Sequence, residues 1–199
     1  MSAPSRRPYS VCVYCASSGA SPIALIEAAA RFGETLARAG VRLVYGGGGV
    51  GLMGACARAA HEAGGQVLGV IPGFLTEHER AYTHVETVVV SNMHERKMRM
   101  FEEADAFAVL PGAIGTLEEA IELLSWRRLG LHAKPIVFYN PAGFWDPLFT
   151  LFDQWQGLRL LPPEFALCWS QVADIDDLLP ALRAAPEGEP VVVPIVQKA

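Results

Sequence analysis

LVYGGGGVGLMGACARAA, residues 43–60, decides the fold. A short apolar run ends in four consecutive glycines, and an Ala-rich segment of helical character follows at once. Strand, tight turn and helix in that order form the unit from which layered α/β domains are built. The same alternation extends in both directions. Strands are expected at 10–14, 42–45, 66–71, 85–90, 106–110 and 135–139, where Val, Leu and Ile run almost without interruption. Helices are expected at 22–39, from the glycine run to 63, at 93–104, from a second glycine turn to 128, at 144–156 and at 175–184. Near-continuous apolar strands are buried on both faces, which marks a parallel sheet covered by helices joined through right-handed crossovers. The expected fold class is therefore α/β: a single Rossmann-like domain over residues 10–185, mostly parallel sheet with helices on both faces. Residues 1–9 read as an N-terminal tail and 186–199 as a C-terminal tail or edge strand.

Composition narrows the function. The 199 residues carry 16 Lys and Arg against 21 Asp and Glu, a formal net charge of −5. Nucleic-acid binding rests on clustered cations that neutralise phosphates, so no nucleic-acid partner is expected. No apolar run approaches the roughly 20 residues of a membrane helix, and the first residues lack the apolar stretch of a signal peptide. A cytoplasmic protein with no membrane partner is expected. Cys12 and Cys15 have redox or metal spacing, but residues three apart in a strand point to opposite faces. With no second such pair, they read as buried thiols, and no metal is expected.

In a parallel sheet ligands gather outside the carboxyl ends of the strands, so the turns carry the function. In the first turn Gly46, Gly48 and Gly51 fit G-x-G-x-x-G, as do Gly49, Gly51 and Gly54. Such glycines, Gly47 and Gly48 included, allow a phosphate to approach the backbone at a helix N-terminus. They equally suit tight packing of helix against sheet. A dinucleotide fold places this pattern after the first strand and a carboxylate at the end of the next, whereas here the next strand ends Val70-Ile71-Pro72-Gly73. No Gly-Lys dipeptide exists for a Walker loop.

The second turn is VLPGAIGTLEEAIELLSW, residues 109–126. Gly115-Thr116 is expected to open the helix, with Thr116 and Glu119 at capping-box spacing. The same helix start is also suited to a phosphate, and Glu118, Glu119 and Glu122 gather near one side of its first turns. A third segment, SNMHERKMRMFEEAD (91–105), places Met93, Lys97, Met100 and Ala104 on one stripe with Arg96 beside it. Arg96 and Lys97 are expected to border the apolar face. They read either as a solvated basic face or as cations for a phosphate or purine edge.

Together VYCASSGASP, LVYGGGGVGLMG, VIPGFLTEHE, NMHERK, PGAIGTLEE and SWRRLGLHAKPI resemble, in order, the LOG (Lonely Guy) cytokinin riboside 5′-monophosphate phosphoribohydrolases, also called lysine decarboxylase-like. The resemblance covers roughly residues 11–138. It implies hydrolysis of the N-glycosidic bond of a nucleoside 5′-monophosphate, such as AMP or a cytokinin ribotide, without cofactor, by a homodimer. Arg96 and Glu119 match the family's catalytic pair. Glu79 matches a substrate-binding carboxylate. Lys97 and the turn Gly112, Ala113, Ile114, Gly115, Thr116, Leu117 and Glu118 match nucleotide-binding positions, joined by Gly47, Gly48, Met93 and Glu122. Ser125 stands where the family usually has Thr. Ala113 departs from the family's Gly, and a positive φ there would cost on the order of 1 kcal/mol. Ile121, Leu123, Leu124, Trp126 and Leu129 are apolar over more than one stripe, as suits an oligomer contact or a deeply buried helix. Two other readings stand beside this one. A non-catalytic nucleotide-binding protein would use the same fold. A pyridoxal phosphate decarboxylase would need a Schiff-base lysine, and of Lys97, Lys134 and Lys198 only Lys97 falls in the expected site.

Overall fold

The structure, a computed structural model, describes residues 8–76 and 80–185. The expected tail at 186–199 lies outside the described residues, as do most of the expected N-terminal tail and Glu79. Strands β1 (Ser10–Tyr14), β2 (Arg42–Tyr45), β3 (Val67–Pro72), β4 (Glu86–Val90), β5 (Ala106–Val109), β6 (Ile136–Tyr139) and β7 (Ser170–Val172) take the order β4-β3-β2-β1-β5-β6-β7. Helices α1 (Ile23–Arg38), α2 (Gly51–Glu62), α3 (Met93–Glu103), α4 (Ile114–Arg128), α5 (Asp146–Gly157) and α6 (Leu178–Ala184) alternate with them. The expected α/β class and parallel sheet are borne out. Among the described residues no helix is long and apolar enough to cross a membrane.

The chain clusters into two compact units, Met1–Val13 with Ser17–Asp105, and Tyr14–Ala16 with Ala106–Ala199. In the first, β1, β2, β3 and β4 pair in parallel, with Ser10 opposite Arg42, Leu43 opposite Val67 and Leu68 opposite Glu86. β1 and β3 are buried at every position, as continuous apolar strands require, while β4 is partly exposed. Helices α1 and α2 approach closely because Gly33 offers no side chain: a Cβ there would overlap the Cys56 carbonyl.

In the second unit β5, β6 and β7 pair in parallel. Within this unit the Leu110 N–H donates to the Tyr14 carbonyl and the Ala16 N–H to the Pro111 carbonyl. Phe138, Phe149, Phe152, Phe165 and Trp169 form a chain of ring contacts under α5. The three-residue strand β7 is too short and polar to carry a sequence pattern. The helix expected at 175–184 divides into a tight turn, Ile175–Asp177, and α6, because the Asp174 side chain accepts from the Asp176 N–H and closes a separate turn first.

Candidate active site

In the first unit the site is built around α3. Asn92 caps this helix by accepting from the Glu95 N–H at 2.9 Å, and the Glu95 carboxylate accepts from the Ser91 hydroxyl at 2.6 Å and the Ser91 N–H at 2.9 Å. Asn92 and Glu95 thus close the helix start together, with Glu95 reaching back to Ser91, the residue before the cap. The Ser91 hydroxyl bond holds the Glu95 carboxyl below its usual range. At the other end Glu103 pairs with Arg42 of β2 at 2.8 Å, both side chains largely buried. The helix is thereby pinned at both ends.

Between those ends lies Arg96, buried with Met100 and only 4% exposed, so the reading of a solvated basic face does not hold for it. Its Nε donates to the Val70 carbonyl at 3.2 Å and Nη2 to the Gly46 carbonyl at 2.8 Å. Nη1 lies 3.8 Å from Met93 Sδ. A guanidinium survives burial when its donors meet acceptors of fixed geometry, and carbonyls at the carboxyl ends of β2 and β3 supply them. Lys97 is half-buried and Met93 partly exposed.

The first glycine turn wraps this arrangement. Gly47 has φ +82° and packs under Ile71; its carbonyl accepts from the Tyr82 N–H. Gly48 forms an isolated antiparallel bridge with Ala81. The Gly49 carbonyl accepts from Arg58 Nη1 at 2.6 Å, and a Cβ on Gly49 would overlap the Arg80 carbonyl. Gly47 and Gly48 are buried. Internal packing accounts for the glycine requirement at Gly47 and Gly49.

In the second unit α4 opens one residue earlier than expected, at Ile114, with Ala113 as N-cap and no side chain capping it. The capping box expected of Thr116 and Glu119 does not form, because Thr116 already lies inside the first turn and is buried. Gly112 is required for that: a Cβ there would overlap the Thr116 side chain. Ala113 has φ −101°, so alanine carries no backbone strain at the position where the family has Gly. Ala113, Ile114, Gly115, Glu118 and Ser125 are exposed, Gly112, Leu117, Glu119 and Glu122 half-buried. Leu123 and Leu124 are buried and Leu129 is 57% exposed.

The far end of α4, within the segment SWRRLGLHAKPI, holds a buried basic group to which the sequence assigns no site role. Arg127 Nη1 donates to the Lys134 carbonyl at 2.6 Å. The Lys134 N–H donates to His132 Nδ1 at 3.1 Å, which leaves Nε2 to carry the ring proton toward the Leu123 carbonyl at 3.0 Å. Burial, and to a lesser degree Arg127 and Lys134, holds the His132 pKa below its ordinary value. Lys134 Nζ lies 6.0 Å from the centre of the Phe107 ring. The four cysteines are all buried, and burial pushes the Cys56 thiol up to about 12, so it is no nucleophile. Among the described residues no three His, Cys, Asp or Glu are grouped to hold a metal.

A parallel sheet whose strands alternate with helices along the chain defines a Rossmann-like α/β protein. The family described as "Possible lysine decarboxylase" matches residues 53–182. The cytokinin riboside 5′-monophosphate phosphoribohydrolase LOG of Oryza sativa subsp. japonica is 45% identical over 72% of this chain and 60% of its own length. LOG2 of Arabidopsis thaliana is 43% identical over 72% of this chain and 68% of its own. The chain belongs to this LOG family. Among solved structures, the molybdenum cofactor binding protein from Rippkaea orientalis superposes with a TM-score of 0.68 over 90% of this chain and 98% of its own, at 20% identity. At that identity the likeness is one of fold.

Proposed function

We propose that this protein hydrolyses the N-glycosidic bond of a nucleoside 5′-monophosphate, releasing free base and ribose 5-phosphate. Family membership supplies the activity class. The observation within the chain that carries the reading is Arg96: a buried guanidinium held in one orientation by two backbone carbonyls. A cation needed only for solubility would be at the surface.

In the proposed reaction the bond from C1′ to the base nitrogen breaks while water attacks C1′, through a ribosyl centre of oxocarbenium character. Glu119 stabilises that centre or accepts the proton of the attacking water, a role carboxylates fill in glycosidases. Arg96 orients the nucleotide or assists departure of the base. The backbone N–H groups at the uncapped start of α4, together with Lys97, hold the 5′-phosphate, and this remote binding energy serves the chemical step. Glu79, with Glu118 and Glu122, completes the carboxylate set toward ribose or base. No cofactor is invoked, and the pyridoxal reading finds no support in Lys134, whose main chain engages Arg127 and His132 at the end of α4 and whose Nζ lies over the Phe107 ring of β5.

The protein is proposed to act as a cytoplasmic homodimer. Ile114, Leu129 and Leu131, 81%, 57% and 67% exposed, support a contact through the α4 region. AMP and isopentenyladenosine 5′-monophosphate are the test substrates, with base and ribose 5-phosphate separated by chromatography. Release from either one establishes the hydrolase. Nucleotide retained without release by the folded protein would make this a binding protein.

A further inference from the structure

The place of Gly46 in the fold is set by another residue's side chain. Its carbonyl accepts from Arg96 Nη2 at 2.8 Å, and the position a Cβ would take at Gly46 is already occupied by Nη2 itself. Arg96 Cζ lies 3.2 Å and Met53 Cε 3.1 Å from the same point. The Nη2 end of the guanidinium thus fills the space beside the Gly46 α-carbon, and only hydrogen fits between them.

We propose that Gly46 is a positioning residue for Arg96 in the hydrolysis proposed above, and the inference rests on that reading. With Val70 it forms a two-carbonyl cradle: Val70 holds Nε, Gly46 holds Nη2, and the bare α-carbon of Gly46 leaves the room that Nη2 fills. Planar five-donor geometry makes this kind of two-point fixing available to Arg and not to Lys. Any side chain at position 46 meets the far end of a long side chain, not backbone, so the fold accommodates it by expelling Nη2 from its carbonyl. The neighbouring turn glycine differs on this point, because a Cβ at Gly49 meets the Arg80 carbonyl and requires the main chain to move. Gly46 therefore serves the orientation of one functional group, and Gly49 serves the turn.

The test is Gly46→Ala in the full-length protein, with three readouts. Turnover of AMP should fall about 30-fold or more in kcat with KM within about threefold, as expected when a reacting-site group is misplaced by about an ångström. The thermal midpoint should stay within a few degrees of wild type. The Arg96 Nε–H resonance, assigned by its loss in Arg96→Lys, should move. Wild-type kcat in Gly46→Ala, or a lowered kcat with that resonance unmoved, overturns the proposal. If Gly46→Ala does not fold, Arg96→Ala with added methylguanidinium replaces it. Saturable return of activity shows that the cradle alone orients a guanidinium, and no return overturns the proposal. A wild-type protein that releases no base from AMP or isopentenyladenosine 5′-monophosphate overturns the hydrolase reading instead; the resonance shift, read without substrate, still decides the cradle.

Discussion

The two glycine turns look alike in sequence and are built for different tasks. In Gly46–Gly54 the space beside Gly46, Gly47, Gly49 and Gly54 is occupied by the protein's own atoms, and the carbonyls of Gly46, Gly47 and Gly49 are engaged by Arg96, Tyr82 and Arg58. The turn Pro111–Thr116 has one such glycine, Gly112 under Thr116, whereas nothing lies within 4 Å of where a Cβ would stand on Gly115. Its Ala113 and Ile114 are exposed. A glycine-rich pattern therefore signals either closeness to the protein or openness to a ligand. What separates the two is whether the volume a side chain would need is already filled.

Four substitutions press on that contrast. The largest effect is expected at Glu119, on the helix opened by the second turn. Glu119→Gln should lower base release by about 10²–10⁴-fold, the range for losing a general base or acid, without changing the unfolding midpoint. Full activity in that variant would remove the second turn from the chemistry. Next is Gly54→Ala, whose Cβ would overlap the Gly49 backbone and cost about 1–3 kcal/mol, visible as an earlier urea transition. An unchanged transition would mean that the first turn is slacker than its packing indicates.

A smaller effect comes from the far end of α4. His132 has a folded-state pKa below its ordinary 6.5, so the unfolded chain binds more protons between the two values. Its stabilisation is thus complete above about pH 6.5 and declines as pH falls from there toward the folded-state value. Unfolding curves from pH 7 downward should show this slope in the wild type and a shallower one in His132→Gln; equal slopes would assign the acid sensitivity elsewhere. The smallest effect is expected for Ala113→Gly. Glycine is the better N-cap, but it loses more entropy on folding, and at φ −101° no strain is relieved. Stability should stay within about 0.5 kcal/mol. A large gain would show that the alanine distorts the start of α4.

Much of the fold is legible in the residues themselves. Strands such as Val67–Pro72 and Ala106–Val109 are apolar at nearly every position, and that pattern specifies a parallel, doubly covered sheet without reference to tertiary detail. Helix α3 carries its own start signal in Asn92 and Glu95. The burial of Arg96 is not legible. Its cradle joins residues 26 and 50 positions away, and a charged residue beside an apolar stripe reads the same whether carbonyls or water receive it. The onset of α4 is hidden for a related reason: Thr116 has the chemistry of a cap, yet Gly112 leaves room for it to turn inward. Strand β7 escapes a pattern search because three residues at a sheet edge, two of them exposed, have no periodicity to detect.

The two helices that carry Arg96 and Glu119 also begin differently. α3 is closed by its own Asn92 and Glu95, whereas α4 starts at Ala113 with neither a capping side chain nor an acidic residue in its first turn. A missing cap costs a helix about 1 kcal/mol. Under the proposed reading a phosphate occupies that end, so ligand occupancy substitutes for a cap and the folded state gains by mass action as nucleotide rises. The melting temperature of this protein then becomes a gauge of nucleotide concentration, with α4 the element that registers it.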